Sequence, residues 1–317
     1  MKQYRIPSTE LDVSRMAYGT WHIGGTWDAT PLSAELKNRA NHLVKTAVEL
    51  GINHIDLADI YTKGKSDEAI GYALAQNPGL REKLVLQAKC GIILGDDPNP
   101  GDPGRYDFSY DNIVGKVEST LRRLGTDYVD LLALHRPDPL MEPDEVARAF
   151  DHLHSSGKVR YFGVSNHTAA QIEFLRRSVT QPIVLNQVEL NLMHHHLISD
   201  GVVANMTESV YSPVLGTIDY CRMNDIMIQA WSPVAGGRLF KGEGGISAEL
   251  NTIAAVHNTT AEAIAVAWLL RHPAKIQPII GTRNAERLAK TTPADDVELS
   301  RVEWYRLLAA ARGAGVP

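Results

Sequence analysis

Asp56 and Tyr61 stand five residues apart in HIDLADIY, Lys89 closes LVLQAK, and His135 closes VDLLALH. A carboxylate, a phenol, an amine and an imidazole are the groups needed to deliver a proton to a carbonyl oxygen. A free phenol titrates near ~10 and releases its proton sluggishly at neutral pH, whereas an adjacent ammonium stabilises the phenolate and lowers that value. Lys89 is expected to be that ammonium, with Asp56 as its counter-ion in a desolvated pocket. Tyr61 would then supply the proton, and His135 would orient or polarise the carbonyl through a ring N–H. Singly, each residue also fits a structural role; together the four point to a reductase. No side chain donates a hydride, so a nicotinamide cofactor is implied.

The elements that must position these groups follow from periodicity. Short apolar runs alternate with segments of helical period. Strands are expected over Arg15 to Gly19, Asn53 to Ala58, Leu84 to Lys89, Val129 to His135, Tyr161 to Ser165, Val184 to Glu189, Met227 to Trp231 and Gln277 to Gly281. Helices are expected over Ala34 to Leu50, Ser66 to Ala75, Tyr110 to Leu124, Pro143 to Ser156, Ala169 to Ser178, and Leu250 to Arg271 with a break near His257 to Thr260. Gly51, Gly125 and Gly157 stand where helix C-caps need glycine. Eight strands with helical crossovers predict an α/β chain folded as one (β/α)8 TIM barrel domain over 1–317, with extra helices and long βα loops at the C-terminal face. The first strand is not followed by the GxGxxG of an open dinucleotide-binding sheet. A barrel places chemistry at the C-terminal ends of its strands, which is where the four residues fall. Strand alternation groups Gln87 with Lys89, and Ala133 with His135.

The chain has 317 residues, 44% of them apolar, enough for a large core. A net charge of −5 and a pI near 6.2 give no reason to expect nucleic acid or an acidic membrane as partner. The partner is expected to be a small carbonyl or alcohol. Two cysteines without a CxxC spacing suit a reducing cytoplasm, and no signal-like or membrane-length apolar run occurs. A monomer is expected.

GINHIDLADIY, QAKCG and LLALHRPD resemble the aspartate–tyrosine, lysine and histidine segments of the aldo-keto reductase superfamily. The likeness runs nearly end to end through Gly19-Thr20-Trp21, GVSNH, LNQVELN, QAWSPVAGG and PIIGTRNAERL, and is strongest to a bacterial branch related to the potassium-channel β-subunit group. The resemblance implies that Ser165, Asn166 and Gln187 bind the nicotinamide carboxamide. Trp231 would stack on the ring, with Ser232 and Pro233 forming the cofactor-side turn. Gly19 and Thr20 would border the cofactor, and Trp21 would line the substrate pocket. Gly281, Thr282, Arg283 and Arg287 would hold the phosphate end, with the hydroxyl and guanidinium groups favouring NADP(H). Gly281 stands where many members carry lysine, and Lys290-Thr291 replaces the common adenine contacts, which leaves NAD(H) open.

Relative to that branch, Ile198 to Thr217 looks like an insertion on the active-site side, expected to cover the cofactor or narrow the pocket. Gly95 to Tyr106, rich in proline and glycine, is expected as an irregular βα loop and a second lid. His194-His195-His196 lacks ligand spacing, and no metal is expected. Two other readings stay open: a nucleotide-sensing binding subunit on the same fold, and a Schiff-base aldolase with Lys89 as nucleophile. The substrate, an aldehyde, ketone or small sugar-like carbonyl, is not fixed by the sequence.

Overall fold

The computed structural model describes residues 1–203, 206, 216–242 and 245–317. Eight parallel strands close into a barrel: β1 (Ala17–Gly19), β2 (His54–Asp56), β3 (Val85–Cys90), β4 (Val129–Leu134), β5 (Val159–Ser165), β6 (Ile183–Glu189), β7 (Met227–Trp231) and β8 (Gln277–Ile280). Each pairs with the next in sequence, and β8 pairs with β1 through Ile280 and Tyr18. All eight lie inside the predicted runs or within two residues of them. β2 is shorter than expected because the chain leaves the ladder after Asp56 to form the Tyr61 loop, although Leu57 and Asp59 still donate to the carbonyls of Gln87 and Lys89.

The helices form where amphipathic stretches meet capping residues: α1 (Ala34–Glu49), α2 (Lys65–Gln76), α3 (Tyr110–Leu124), α4 (Pro143–Ser155) and α5 (Ala169–Leu175). Ser109 caps α3 by accepting from the Asn112 N–H, and Gly125 ends it in the left-handed region. Thr168 and Gln171 make a reciprocal capping box on α5. After α6 (Thr217–Met223), the predicted break proves to be a corner: α7 (Ile246–Val256) and α8 (Ala261–Leu270) meet at 91°. Thr260 caps α8, whose residues from Ala263 on are buried. α9 (Ala285–Thr291) and α10 (Arg301–Arg312) complete the shell. Trp304 of α10 stacks on Trp268 of α8 with ring centroids 5.2 Å apart. Among the described residues no single helix is long and apolar enough to cross a membrane.

Two features escape the periodicity. An N-terminal hairpin, Gln3–Arg5 against Asp12–Ser14, is too short to leave a pattern. Its Ile6, Leu11 and Val13 pack against Val85, Leu131, Val184 and Met227, so the hairpin plugs the N-terminal end of the barrel and leaves the other end for chemistry. The proline- and glycine-rich Gly95 to Tyr106 segment ends in order: Ile92–Ile93 pairs antiparallel with Arg105–Tyr106. Positions 204, 205 and 207–215 of the expected insertion lie outside the described residues.

Candidate active site

Strand register brings the four sequence-predicted residues together. Asp56 ends β2, Lys89 is the penultimate residue of β3, His135 follows β4, and Tyr61 lies in the loop after β2. Lys89 and Asp56 form an ion pair with side chains 0% and 4% exposed. The Lys89 ammonium lies 5.0 Å from the centroid of the Tyr61 ring, and the Tyr61 and His135 rings meet edge-on at 5.8 Å. Tyr61, His135 and Asp56 open onto a cavity of about 420 Å³, also lined by Trp21, Trp27, Arg136, Asn166 and Trp231. Lys89 does not reach the cavity surface; it acts from behind Asp56 and Tyr61.

The electrostatics correct one expectation. Burial, reinforced by the carboxylates of Asp56 and Asp59, pushes the Tyr61 phenol well above its ordinary range, where a lowered value was predicted from Lys89. The Asp56 carboxylate that pairs with Lys89 itself contributes to the rise, and Arg136 opposes it. Tyr61 is therefore protonated at neutral pH. Burial also lowers Lys89 against the pull of Asp56. His135 is pushed well below 6.5 by burial, then by Lys89 and Arg136, so the imidazole is neutral and donates through one ring nitrogen only.

Beneath the tetrad lies a ladder of amides. Gln187 on β6, Gln229 on β7 and Gln277 on β8 are register neighbours, as are Asp56 and Gln87. Gln187 Nε2 donates to Asp56 Oδ1 at 2.7 Å and to Gln229 Oε1 at 3.0 Å. Gln87 Nε2 donates to Asp56 Oδ1 at 3.2 Å and forms a reciprocal amide pair with Gln229 at 2.8 and 2.9 Å. Gln229 Nε2 also donates to Gln277 Oε1 at 2.8 Å, and Gln277 Nε2 ends the ladder on the Ser14 carbonyl at 2.6 Å. His54, fully buried on β2 beside Gln87 and Gln277, is held neutral down to about 4, chiefly by burial. The sequence reading missed Gln229, Gln277 and His54. Their signal was present as polar residues recurring on the inward row of otherwise apolar strands.

The cofactor-side residues divide into those that meet and those that do not. Gly19, Ser165, Asn166, Gln187, Trp231, Ser232, Pro233 and Gly281 line the same cavity as the tetrad. Asn166, at φ +62°, donates from Nδ2 to the His135 carbonyl at 3.2 Å and accepts at Oδ1 from Trp231 Nε1 at 2.9 Å. Ser165 donates to the Gln187 carbonyl at 2.8 Å. A Cβ on Gly19 would approach Ile279 Cγ2 to 2.8 Å, whereas one on Gly281 would meet nothing nearer than the Gly19 carbonyl oxygen at 4.0 Å, so this edge of the cavity stays clear. Thr20 departs from its predicted role: fully buried, it donates from both backbone and hydroxyl to the Asp56 carbonyl, at 3.1 and 2.8 Å, and does not face the cavity. It braces the Asp56 backbone. Arg283 and Arg287 lie beyond the tetrad cavity, exposed at the start of α9 and without an ion pair among the described residues. Trp21 stacks 6.1 Å from Tyr61, as a pocket wall should. Among the described residues His194 to His196 join no cluster that could hold a metal.

The Aldo/keto reductase family model matches residues 15–312. The chain is 37% identical to the "6-dehydroglucose reductase" of Agrobacterium fabrum over 98% of both chains, and 38% identical to the "Oxidoreductase YdhF" of Escherichia coli over 96% of both. Among solved structures, it superposes on a thermostable aldo-keto reductase, Tm1743, with a TM-score of 0.78 and 27% identity, covering 98% of this chain and 100% of that one. The glycerol dehydrogenase AKR11B4 of Gluconobacter oxydans superposes with a TM-score of 0.79 at 25% identity, over 97% of this chain and 95% of that one.

Proposed function

The chain belongs to the aldo/keto reductase family and reduces carbonyl compounds with a nicotinamide dinucleotide, and from that premise we propose a division of labour among its residues. Tyr61 gives its phenolic proton to the carbonyl oxygen, His135 donates a hydrogen bond to the same oxygen, and the Asp56–Lys89 pair keeps a cation beside the phenol as negative charge develops there. The bound cofactor supplies the hydride. Asn166 and Gln187 have the right chemistry to hold a carboxamide. Gln187 Nε2 is taken up by Asp56 Oδ1 and Gln229 Oε1, and no hydrogen bond among the described residues uses Gln187 Oε1. Trp231 is fixed edgewise by Asn166, leaving its face to the ring. The observation that carries this reading is the buried Asp56–Lys89 pair set directly behind Tyr61, at the floor of a cavity that His135 also enters.

NADPH is the proposed cofactor, because Arg283 and Arg287 are free guanidinium groups beside the clear edge at Gly281. The proposed substrate is an aldehyde carried on a sugar. The similarity to the 6-dehydroglucose reductase of Agrobacterium fabrum supports this, as does a pocket with an aromatic wall of Trp21, Trp27 and Tyr61. Opposite stands Arg136, its guanidinium 5.6 Å from the Trp231 ring centroid and without an ion pair among the described residues, a donor suited to hydroxyl groups. The aldolase alternative loses support, since the Lys89 ammonium is locked to Asp56 outside the cavity surface. NADPH and NADH oxidation against a panel of aldoses, aldehyde-bearing sugars, ketones and simple aldehydes, run beside Tyr61→Phe, tests the reading. Loss of about 10²–10⁴-fold in kcat with cofactor affinity retained is expected; full activity in Tyr61→Phe removes the proton-donor assignment.

A further inference from the structure

Asp59 is a buried carboxylate close to the tetrad that the reduction chemistry above does not use. It is 6% exposed, and neither carboxyl oxygen has a hydrogen-bond partner. Its backbone N–H donates to the Lys89 carbonyl at 3.1 Å, and it precedes Tyr61 by two residues, so its place is fixed relative to both. The nearest cation, Lys116 Nζ on α3, stands 4.0 Å from Oδ2, at the outer limit of an ion pair. Arg123, also on α3, is committed to Asp67 at 2.8 Å and reaches Asp59 only at its carbonyl oxygen, 3.5 Å away. A buried carboxylate so weakly answered is costly to the fold.

We propose that Asp59 is a positioning residue whose single proton sets the charge balance around Tyr61 and Lys89, and with it the pH dependence of carbonyl reduction and of the reverse alcohol oxidation. This rests on Tyr61 as the donor proposed above. The groups that face Asp59 are few. Tyr61 and Asp56 share its loop and strand, Lys89 and Cys90 lie on β3, Asp67 on α2, and Lys116 and Arg123 on α3, while Arg136 acts on Tyr61 from beyond β4. Burial, aided by Asp67 and opposed by Lys116, Arg123 and the adjacent Ile60 N–H, holds the Asp59 proton up to about 7. Below that pH the neutral carboxyl leaves Tyr61 the stronger acid, which favours protonation of the carbonyl. Above it the anion strengthens Tyr61 as a base, the role that alcohol oxidation requires, and helps keep Lys89 charged.

The test uses Asp59→Asn, which is isosteric and breaks no side-chain hydrogen bond. The reductive kcat profile is expected to lose its inflection near pH 7, and the alkaline limb of alcohol oxidation to move acidward by about one unit, with carbonyl KM unchanged. Lys116→Met, at a partly exposed position, is expected to move the wild-type reductive inflection upward, opposite in sense to any general loosening. Unfolding followed against pH adds an arm independent of catalysis. A folded-state value raised above that of the unfolded chain means that the folded protein binds the extra proton between pH 4 and 7. Stability attributable to Asp59 therefore falls as pH rises through that window, and Asp59→Asn abolishes this fall. Profiles of both variants that superimpose on wild type overturn the proposal, whatever the unfolding arm gives. Should Asp59→Asn fail to fold, an unmoved Lys116→Met profile is sufficient to overturn it. If Tyr61→Phe stays active, it is the donor assignment that fails, and the unfolding arm still reports on Asp59 alone.

Discussion

Gln229 is the rung on which the amide ladder turns, and Gln229→Leu separates the stability held in that ladder from the chemistry above it. The leucine removes two acceptances, from Gln87 and Gln187, and two donations, to Gln87 and Gln277. Gln87 Nε2 and Gln187 Nε2 keep Asp56 as acceptor. Gln87 Oε1 and Gln277 Oε1 lose their donors inside a barrel where both residues are 0% exposed. Two orphaned buried acceptors at ~1–3 kcal/mol each make a destabilisation of about 2–6 kcal/mol. Denaturant unfolding should show it as a lower midpoint at unchanged slope. Because Asp56 retains its direct donors, kcat/KM should fall less than about tenfold. The sharper arm is Gln87→Leu combined with Gln229→Leu. Removing both halves of a reciprocal amide pair leaves fewer orphans than the two single changes together, so the double variant should be less destabilised than the sum by ~1–3 kcal/mol. Additivity to within about 0.5 kcal/mol would falsify the ladder as an energetic unit.

Two further outcomes follow from the same geometry. Arg283→Ala and Arg287→Ala should weaken NADPH binding by about 10–100-fold while leaving NADH binding within about twofold, measured by nicotinamide fluorescence titration without substrate; equal losses for both cofactors would place the 2′-phosphate elsewhere. His54 is depressed to about 4 by burial, so above 6.5 folded and unfolded chains are both neutral there, and its contribution to stability is lost as pH falls from 6.5 toward 4. His54→Leu should flatten acid unfolding by up to about 3 kcal/mol between pH 6.5 and about 4, and an unchanged acid limb in the variant would show that the ring does not titrate there.

The expected strands and helices matched closely because their signals are local. Strand alternation, helical period, and caps such as Ser109, Thr168 and Gly125 each act within a few residues of the backbone they order. The convergence of the four residues was legible for a related reason: a barrel gathers the ends of its strands, so residues at three adjacent strand ends meet without any long-range contact being known. The short hairpin that plugs the opposite end was not legible, since three-residue strands carry no period and become strands only against the barrel.

By itself the sequence determined the eight-fold alternation, the inward rows, and the residue types delivered to one mouth of the barrel. Tertiary structure alone decided what those residues are bonded to and how much charge they carry. Asp56 meets Gln187 across 131 residues of sequence, and that contact turns an expected cofactor ligand into a support for the carboxylate as well. Thr20 was expected at the cofactor and instead braces the Asp56 backbone, because strand register, not composition, sets which way a residue after β1 faces. Tyr61 was expected to be acidified by Lys89 and is the reverse, because its burial and the carboxylates of Asp56 and Asp59 outweigh the cations around it. Periodicity selects a face, but proton affinity depends on desolvation and on every charge within several ångströms, quantities that exist only once the barrel has closed.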